Sequence, residues 1–173
     1  SHRAFRWMRT VSSGVGEPRD IGDLSVSLAV HDAYVEDAGG TVARAVVAHG
    51  GGVVVMDSLP GDSGIRWDMS LPLGEDATKD DVWGLEPREV QGQETPMLGW
   101  RSRTYGHWEP STWLIADHGP GEVVWGLGEP VTSTAEGVRI GELTLRLERT
   151  LRGAVLRVGG PGLREVVLRA QHD

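Results

Sequence analysis

The chain has 173 residues, which is enough for one domain with a well-filled core. Its 25 glycines and 9 prolines favour many turns over long helices, and no apolar stretch approaches the ~20 residues needed to cross a bilayer. The formal net charge is -8 and Lys79 is the only lysine, so we expect no nucleic-acid partner, which would need a basic face. The absence of cysteine excludes a disulfide framework and a thiolate metal site.

Strands are predicted in the first half of the chain by apolar residues that recur at every second position. Leu24, Val26 and Leu28 share one side of such a run, which is typical of a half-buried strand. Two runs rich in β-branched residues flank His49 and three glycines, and this arrangement predicts a β-hairpin whose glycines adopt positive φ. The predicted strands in this half are residues 23–30, 41–48, 53–57 and 65–73.

The second half of the chain continues the pattern of short alternating runs. An acidic loop is expected over residues 74–81, and the segment 82–90 is ambiguous. The further predicted strands are residues 113–116, 123–127, 137–140, 142–149, 153–158 and 163–169. Short strands at this spacing, without an amphipathic helix, predict an all-β, antiparallel β-sandwich that forms a single domain over residues 1–173.

Tryptophan is overrepresented among the aromatic residues, with seven tryptophans beside one phenylalanine and two tyrosines. Aromatic rings stack on the apolar faces of sugars, so a carbohydrate site is one interpretation. The other is that each large ring fills the core, and for any single tryptophan this is the simpler explanation. Four of the seven fall within one quarter of the chain, namely Trp100, Trp108, Trp113 and Trp125.

The segment 99–110 combines aromatic and charged residues in one strand-and-turn stretch. If Trp100 and its alternate neighbours face the core, the residues between them form an exposed cationic and aromatic strip. Arginine binds carboxylates through a planar fork, so this strip suits an acidic sugar. A solvated strand face, with the arginines paired to a neighbour such as Glu109, is the simpler alternative. The candidate substrate-binding residues are Arg101, Arg103, Tyr105, His107 and Trp108.

Catalytic and metal-binding patterns are absent from the sequence. The histidines, which include His31, His107 and His118, form no His-x-His or His-x-x-x-His pair, so no metal site is expected within this chain. No Gly-x-Ser-x-Gly elbow is present, and a lone histidine or tyrosine without an identified partner is a weak acid or base candidate. We therefore assign no catalytic residue from the sequence.

Several short stretches occur in an order that is familiar from one enzyme family. They are residues 30–34 (VHDAY), 42–47 (VARAVV), 52–59 (GVVVMDSL), 99–102 (GWRS) and 105–110 (YGHWEP), preceded by Phe5-Arg6-Trp7. In this order they resemble the heparinase II/III-like family, over most of residues 1–130. Ala33 and Ala43 depart from the glycine and histidine that are common in that family.

The resemblance implies the antiparallel β part of a polysaccharide lyase that follows an N-terminal helical toroid. Such enzymes cleave uronic-acid polysaccharides by β-elimination, with catalytic residues mainly in the toroid and in a histidine-rich segment that binds zinc in some members. This chain contains neither, so the resemblance implies no cofactor here, zinc only in an upstream part, and a secreted or periplasmic location. Its implied partners are an acidic polysaccharide or oligosaccharide and the upstream toroid, with no membrane partner.

Two functions follow as alternatives. The chain is either a β-sandwich that supports the site of such a lyase, or a stand-alone carbohydrate-binding or structural module without catalysis. The presence of an upstream toroid in the same polypeptide would distinguish them.

Overall fold

The computed structural model is all-β and antiparallel, and it describes residues 13–31, 41–61, 67–72 and 78–171. The strands of the first half are β1 (Ser13–Val15), β2 (Arg19–Ile21), β3 (Leu24–His31), β4 (Val42–His49), β5 (Gly52–Leu59), β6 (Trp67–Pro72), β7 (Val82–Trp83) and β8 (Arg88–Val90). Those of the second half are β9 (Trp100–Thr104), β10 (His107–Pro110), β11 (Trp113–His118), β12 (Gly121–Gly128), β13 (Thr132–Thr134), β14 (Gly137–Ile140), β15 (Leu143–Thr150), β16 (Gly153–Gly160) and β17 (Leu163–Gln171). A 3-10 turn at Lys79–Asp81 precedes β7. Within these described ranges, no helix is long and apolar enough to cross a membrane.

The strands form three sheets and one separate hairpin. A seven-stranded sheet has the order β1-β3-β4-β5-β12-β7, with β2 also beside β3. A five-stranded sheet is a simple meander from β13 to β17, and a three-stranded sheet has the order β6-β11-β8. Strands β9 and β10 pair only with each other. The hairpin therefore extends from the connection between β8 and β11, two strands of the three-stranded sheet.

The seven-stranded sheet is the middle layer because its two faces belong to two different cores. Its first face packs on the five-stranded sheet through residues such as Leu28 and Met56, which meet Leu145 and Leu156. Its second face, around Val55, packs on the three-stranded sheet. The predicted sandwich is confirmed, and the third sheet adds a layer that period-two patterns do not reveal.

The local sequence explains how each strand is buried. β3 alternates strictly between buried and partly exposed positions, because only one of its faces is covered. β5 carries a continuous apolar run and is buried at six consecutive positions, as expected for a strand covered on both faces. Strands β4 and β5 form the predicted hairpin, and its turn is at Gly50 and Gly51.

One glycine in this hairpin adopts the left-handed region. Gly52 has φ of 152°, whereas Gly50 and Gly51 do not have positive φ, so the prediction was right for one of the three. A Cβ atom at Gly52 would lie 2.0 Å from the carbonyl oxygen of Leu127 on β12. The glycine is therefore required by close packing of β5 against β12.

The predicted strands of both halves are confirmed in the described residues, and the ambiguous segment 82–90 contains β7 and β8. Strands β1, β2 and β13 have three residues each, too few for a periodic signal. Residues 1–12, 32–40, 62–66, 73–77 and 172–173 lie outside the described residues. They include Phe5 to Trp7, Asp32 to Tyr34, both ends of the predicted strand 65–73 and the first half of the acidic loop 74–81.

Candidate functional site

The β9-β10 hairpin contains all five candidate residues predicted from the sequence. Thr104 lies opposite His107, so Tyr105 and Gly106 form the two-residue turn at the tip. Gly106 has φ of 80°, which a residue with a side chain rarely adopts. Arg101 lies opposite Glu109 near the base, and the register shifts between His107 and Glu109.

The base of the hairpin is fixed by hydrogen bonds to the preceding loop. Trp100 Nε1 donates to the carbonyl oxygen of Gln93 at 2.8 Å. The amide of Ser111, which follows β10, donates to the carbonyl oxygen of Gly99 at 2.8 Å. Trp100 is partly buried at this anchored base, and the rest of the hairpin extends from it.

The expected core face of β9 is not a core. Trp100 is partly buried, but Ser102 and Thr104 on the same side are exposed, so the premise that this face packs inward was wrong beyond Trp100. The physical reason is that, among the described strands, β9 pairs only with β10, and it belongs to none of the three larger sheets. Tyr105 is fully exposed, and Trp108 is 61% exposed.

The two arginines meet at one carboxylate. Arg101 Nε lies 2.7 Å and Arg103 Nε lies 3.0 Å from Oε1 of Glu109. All three side chains are substantially exposed, with 40% of the Arg101 side chain and 48% of the Glu109 side chain accessible. The pairing anticipated as the alternative is thus present, and it lies in solvent on the same hairpin as the exposed Tyr105 and Trp108.

A second polar cluster, not predicted from the sequence, is centred on the buried carboxylate of Asp57. Arg44 binds it with both arms of its fork, Nε to Oδ1 at 2.6 Å and Nη2 to Oδ2 at 2.9 Å. Trp125 Nε1 donates to Oδ2 at 2.9 Å, and His118 Nε2 lies 3.2 Å from the same oxygen. The Arg44 guanidinium also lies 5.9 Å from the centre of the Trp125 ring. Strands β4, β5, β11 and β12 are joined at this point.

The geometry of this cluster is that of a structural link. The Asp57 side chain has no exposed surface and that of His118 has 7%, so a polymer cannot reach either group. His118 Nδ1 also faces the carbonyl oxygen of Gly119 at 3.0 Å, and both contacts are hydrogen bonds together only when the ring carries two protons. Asp57 ends an otherwise apolar run, and a charge at such a position requires partners, which was the signal available in the sequence.

The tryptophans divide between core and surface. Trp125 is buried and Trp83 packs against the core, so the core interpretation holds for these two, whereas Trp100 and Trp113 are partly buried but belong to neither core. Trp108 alone among the tryptophans with described side chains is mainly exposed. Among the described residues, no group of three or more His, Asp or Glu side chains is placed to hold a metal ion.

The outer face of the five-stranded sheet carries a third polar group. Arg146 and Arg157 lie directly opposite each other, and Glu148 lies 3.5 Å and 3.3 Å from their Nε atoms. The hydrogen bond to Glu148, with the charge of Glu165 nearby, raises the pKa of Arg157. This group is an ion-pair network on an exposed face, in which the acidic residues already occupy the arginines.

Comparison of the chain with protein-family models, with curated proteins and with solved structures gave no match.

Proposed function

We propose that this domain is the non-catalytic β-sandwich of a heparinase II/III-like polysaccharide lyase and that it binds an acidic sugar through the tip of the β9-β10 hairpin. The observation that carries the proposal is that the exposed rings of Tyr105 and Trp108 lie on the same hairpin as the exposed Arg101–Glu109 pair. Large exposed aromatic surface is costly in water and is typical of a contact site. The aromatic rings offer stacking surfaces for the apolar faces of sugar rings.

The arginines supply the preference for an acidic sugar. Among the described residues, Arg101 bonds Glu109 through Nε alone, so its two Nη nitrogens are available to an incoming carboxylate. An exposed ion pair contributes only about 0–1 kcal/mol, so a uronate can compete with Glu109 for the fork. A bidentate, charge-assisted contact then favours a uronate over a neutral sugar.

The supporting role, rather than a catalytic one, rests on the burial of an acid-base pair formed by Asp57 and His118. Asp57 and His118 are in hydrogen-bond contact but enclosed between two sheets. Proton transfer requires the group to reach the proton that it moves. We therefore expect the domain alone to produce no unsaturated product, and no ultraviolet absorbance of a new C4–C5 double bond, from heparan, chondroitin or alginate.

The binding experiment titrates uronate oligosaccharides into the wild type and into an Arg101→Ala/Arg103→Ala variant. Loss of a charge-assisted contact worth roughly 1.5–3 kcal/mol corresponds to a loss of about tenfold or more in affinity. The matched control is Arg164→Ala/Arg169→Ala, which removes two exposed arginines from β17 and should leave the affinity unchanged. Equal affinity of wild type and hairpin variant, or no binding by either, contradicts the proposal.

Two further variants separate the stacking and charge contributions. Trp108→Ala should weaken uronate and neutral oligosaccharides alike, because ring stacking does not depend on the carboxylate. Glu109→Gln should strengthen uronate binding, because it removes the carboxylate that competes for Arg101. If Glu109→Gln weakens binding, Glu109 itself holds the sugar.

A further inference from the structure

Polar side chains occupy inward-facing positions at one end of the sandwich. Arg149 follows Leu147 by two residues on β15, so it continues the face that packs in the core. Glu122 precedes Val124 by two residues on β12 and continues the opposing face, since Val124 packs against the same core. Both side chains are exposed, so they lie at the open edge of the core, where polar groups can line a cleft.

These side chains line a cleft between β5 and β12 on one side and β13 to β15 on the other. Its volume is about 470 Å³, within the range of small-molecule sites, and its floor is apolar through Met56, Val138 and Leu147. Ser133 lies directly opposite Val138, so it shares the inner face and completes the polar rim. The cleft thus combines an apolar floor with polar groups that converge at its mouth.

The rim groups are held in place but have capacity for a ligand. Arg149 reaches across the cleft and donates from Nε to Oγ of Ser58, which is fully buried, at 2.7 Å. Among the described residues this is the hydrogen bond that fixes Arg149, and its Nη nitrogens hold no partner there. The side chains of Glu122 and Ser133 likewise make no hydrogen bond within the described part of the chain. The cleft is also lined by Arg146 and Glu148, whose side chains pair on the outer face, so Arg149, Glu122 and Ser133 supply the cation, the carboxylate and the hydroxyl of its inner faces.

We propose that this cleft binds a small hydroxylated carboxylate of the size of one acidic monosaccharide. The Arg149 guanidinium binds the ligand's carboxylate. The Glu122 carboxylate accepts hydrogen bonds from the ligand's hydroxyl groups, and the Ser133 hydroxyl can accept or donate. The apolar floor at Met56 and Val138 covers the ligand's apolar face. The inference rests on the cleft alone and is independent of the hairpin.

The test is a titration of the isotope-labelled chain with D-glucuronate, and separately with D-glucose, followed by amide resonances. Glucuronate should shift the resonances of residues 133–138 and 146–149, and glucose should bind at least about tenfold more weakly because it lacks the carboxylate. Arg149→Gln should lower glucuronate affinity about tenfold or more, whereas Arg152→Gln, in the exposed turn after β15, should leave it unchanged. Since Arg149 also bonds Ser58, thermal unfolding establishes that the variant is folded.

A second variant keeps the test independent of Arg149. Ser133→Leu, on the exposed strand β13, should fill the cleft and abolish the shifts without affecting the fold. The Arg101→Ala/Arg103→Ala hairpin variant should retain all cleft shifts, which separates this inference from the proposed function. Equal binding of glucose and glucuronate, shifts confined to the hairpin, or no shift at either place would overturn the inference.

Discussion

Asp57 and Glu109 each pair with arginine, but one lies between two sheets and the other lies in solvent. Asp57 contacts Arg44, His118 and Trp125 with no exposed surface of its own. The Glu109 side chain contacts two arginine Nε atoms and remains 48% exposed. The distances are similar, so distance alone does not separate the two clusters.

The difference lies in what replaces the contact when it is broken. Water solvates Glu109 and its arginines at once, so the exposed cluster can exchange one carboxylate for another. Water cannot replace Asp57 for all of its partners, because His118 and Trp125 would remain buried between packed strands, although Arg44 is 30% exposed. The buried cluster is therefore suited to holding the fold, and the exposed cluster to exchanging ligands.

The largest expected effect is that of removing the buried carboxylate. Asp57→Ala leaves Arg44, His118 and Trp125 without their shared acceptor, which should lower the free energy of unfolding by roughly 3–5 kcal/mol. Chemical denaturation measures this loss directly. Asp80→Ala, at an exposed position of the 3-10 turn, is the control and should remain within about 0.5 kcal/mol of wild type. A small loss at Asp57 would show that water reaches the cluster.

Removing one of the hydrogen-bond donors that contact Asp57 should have a smaller effect on the free energy of unfolding. Trp125→Phe deletes the Nε1 hydrogen bond to Oδ2 while keeping an aromatic ring in the core. A hydrogen bond to a charged group contributes roughly 1.5–3 kcal/mol, and we expect a loss of that order in denaturant unfolding. Trp108→Phe changes the same residue type at an exposed position, and a comparable loss there would contradict the contrast between the two clusters.

A similar contrast between a closely packed position and an open one occurs in the turn between β4 and β5. Gly52→Ala places a methyl group against the Leu127 carbonyl at positive φ, and it should cost on the order of 1–3 kcal/mol. Gly50→Ala, two residues earlier, meets no atom within 4 Å and should be nearly neutral. Thermal unfolding of the two variants side by side provides the measurement, and equal stability would mean that β5 is not closely packed on β12.

The smallest effect is expected for the exposed pair. A double-mutant cycle with Arg101→Ala and Glu109→Ala should give a coupling energy of about 1 kcal/mol or less. This coupling should decrease in 1 M salt, where the screening length falls to roughly 3 Å. A coupling well above 2 kcal/mol that resists salt would indicate that the hairpin cluster is shielded, and would weaken the argument for ligand exchange.

Strand positions were predictable because they depend on neighbouring residues. The alternation in β3 and β15 and the apolar run in β5 report which faces are covered, and the structure confirms them. The hairpin segment was also recognisable as a cluster of exposed polar and aromatic residues. The sequence did not show that β9 has no face packed in a core, because alternation does not reveal whether another sheet lies above a strand.

By itself, the sequence determined the all-β class, most strands and the aromatic and charged strand-and-turn segment 99–110, since these follow from period two and from residue chemistry within a few positions. Only the tertiary structure decided which sheet each strand joins, that a third layer covers β5, and which polar groups meet. Trp125 and His118 reach Asp57 across sequence separations of 68 and 61 residues. The cleft likewise needs β12 and β15 to face each other. Such contacts are fixed by the packing of whole sheets, which local patterns do not encode.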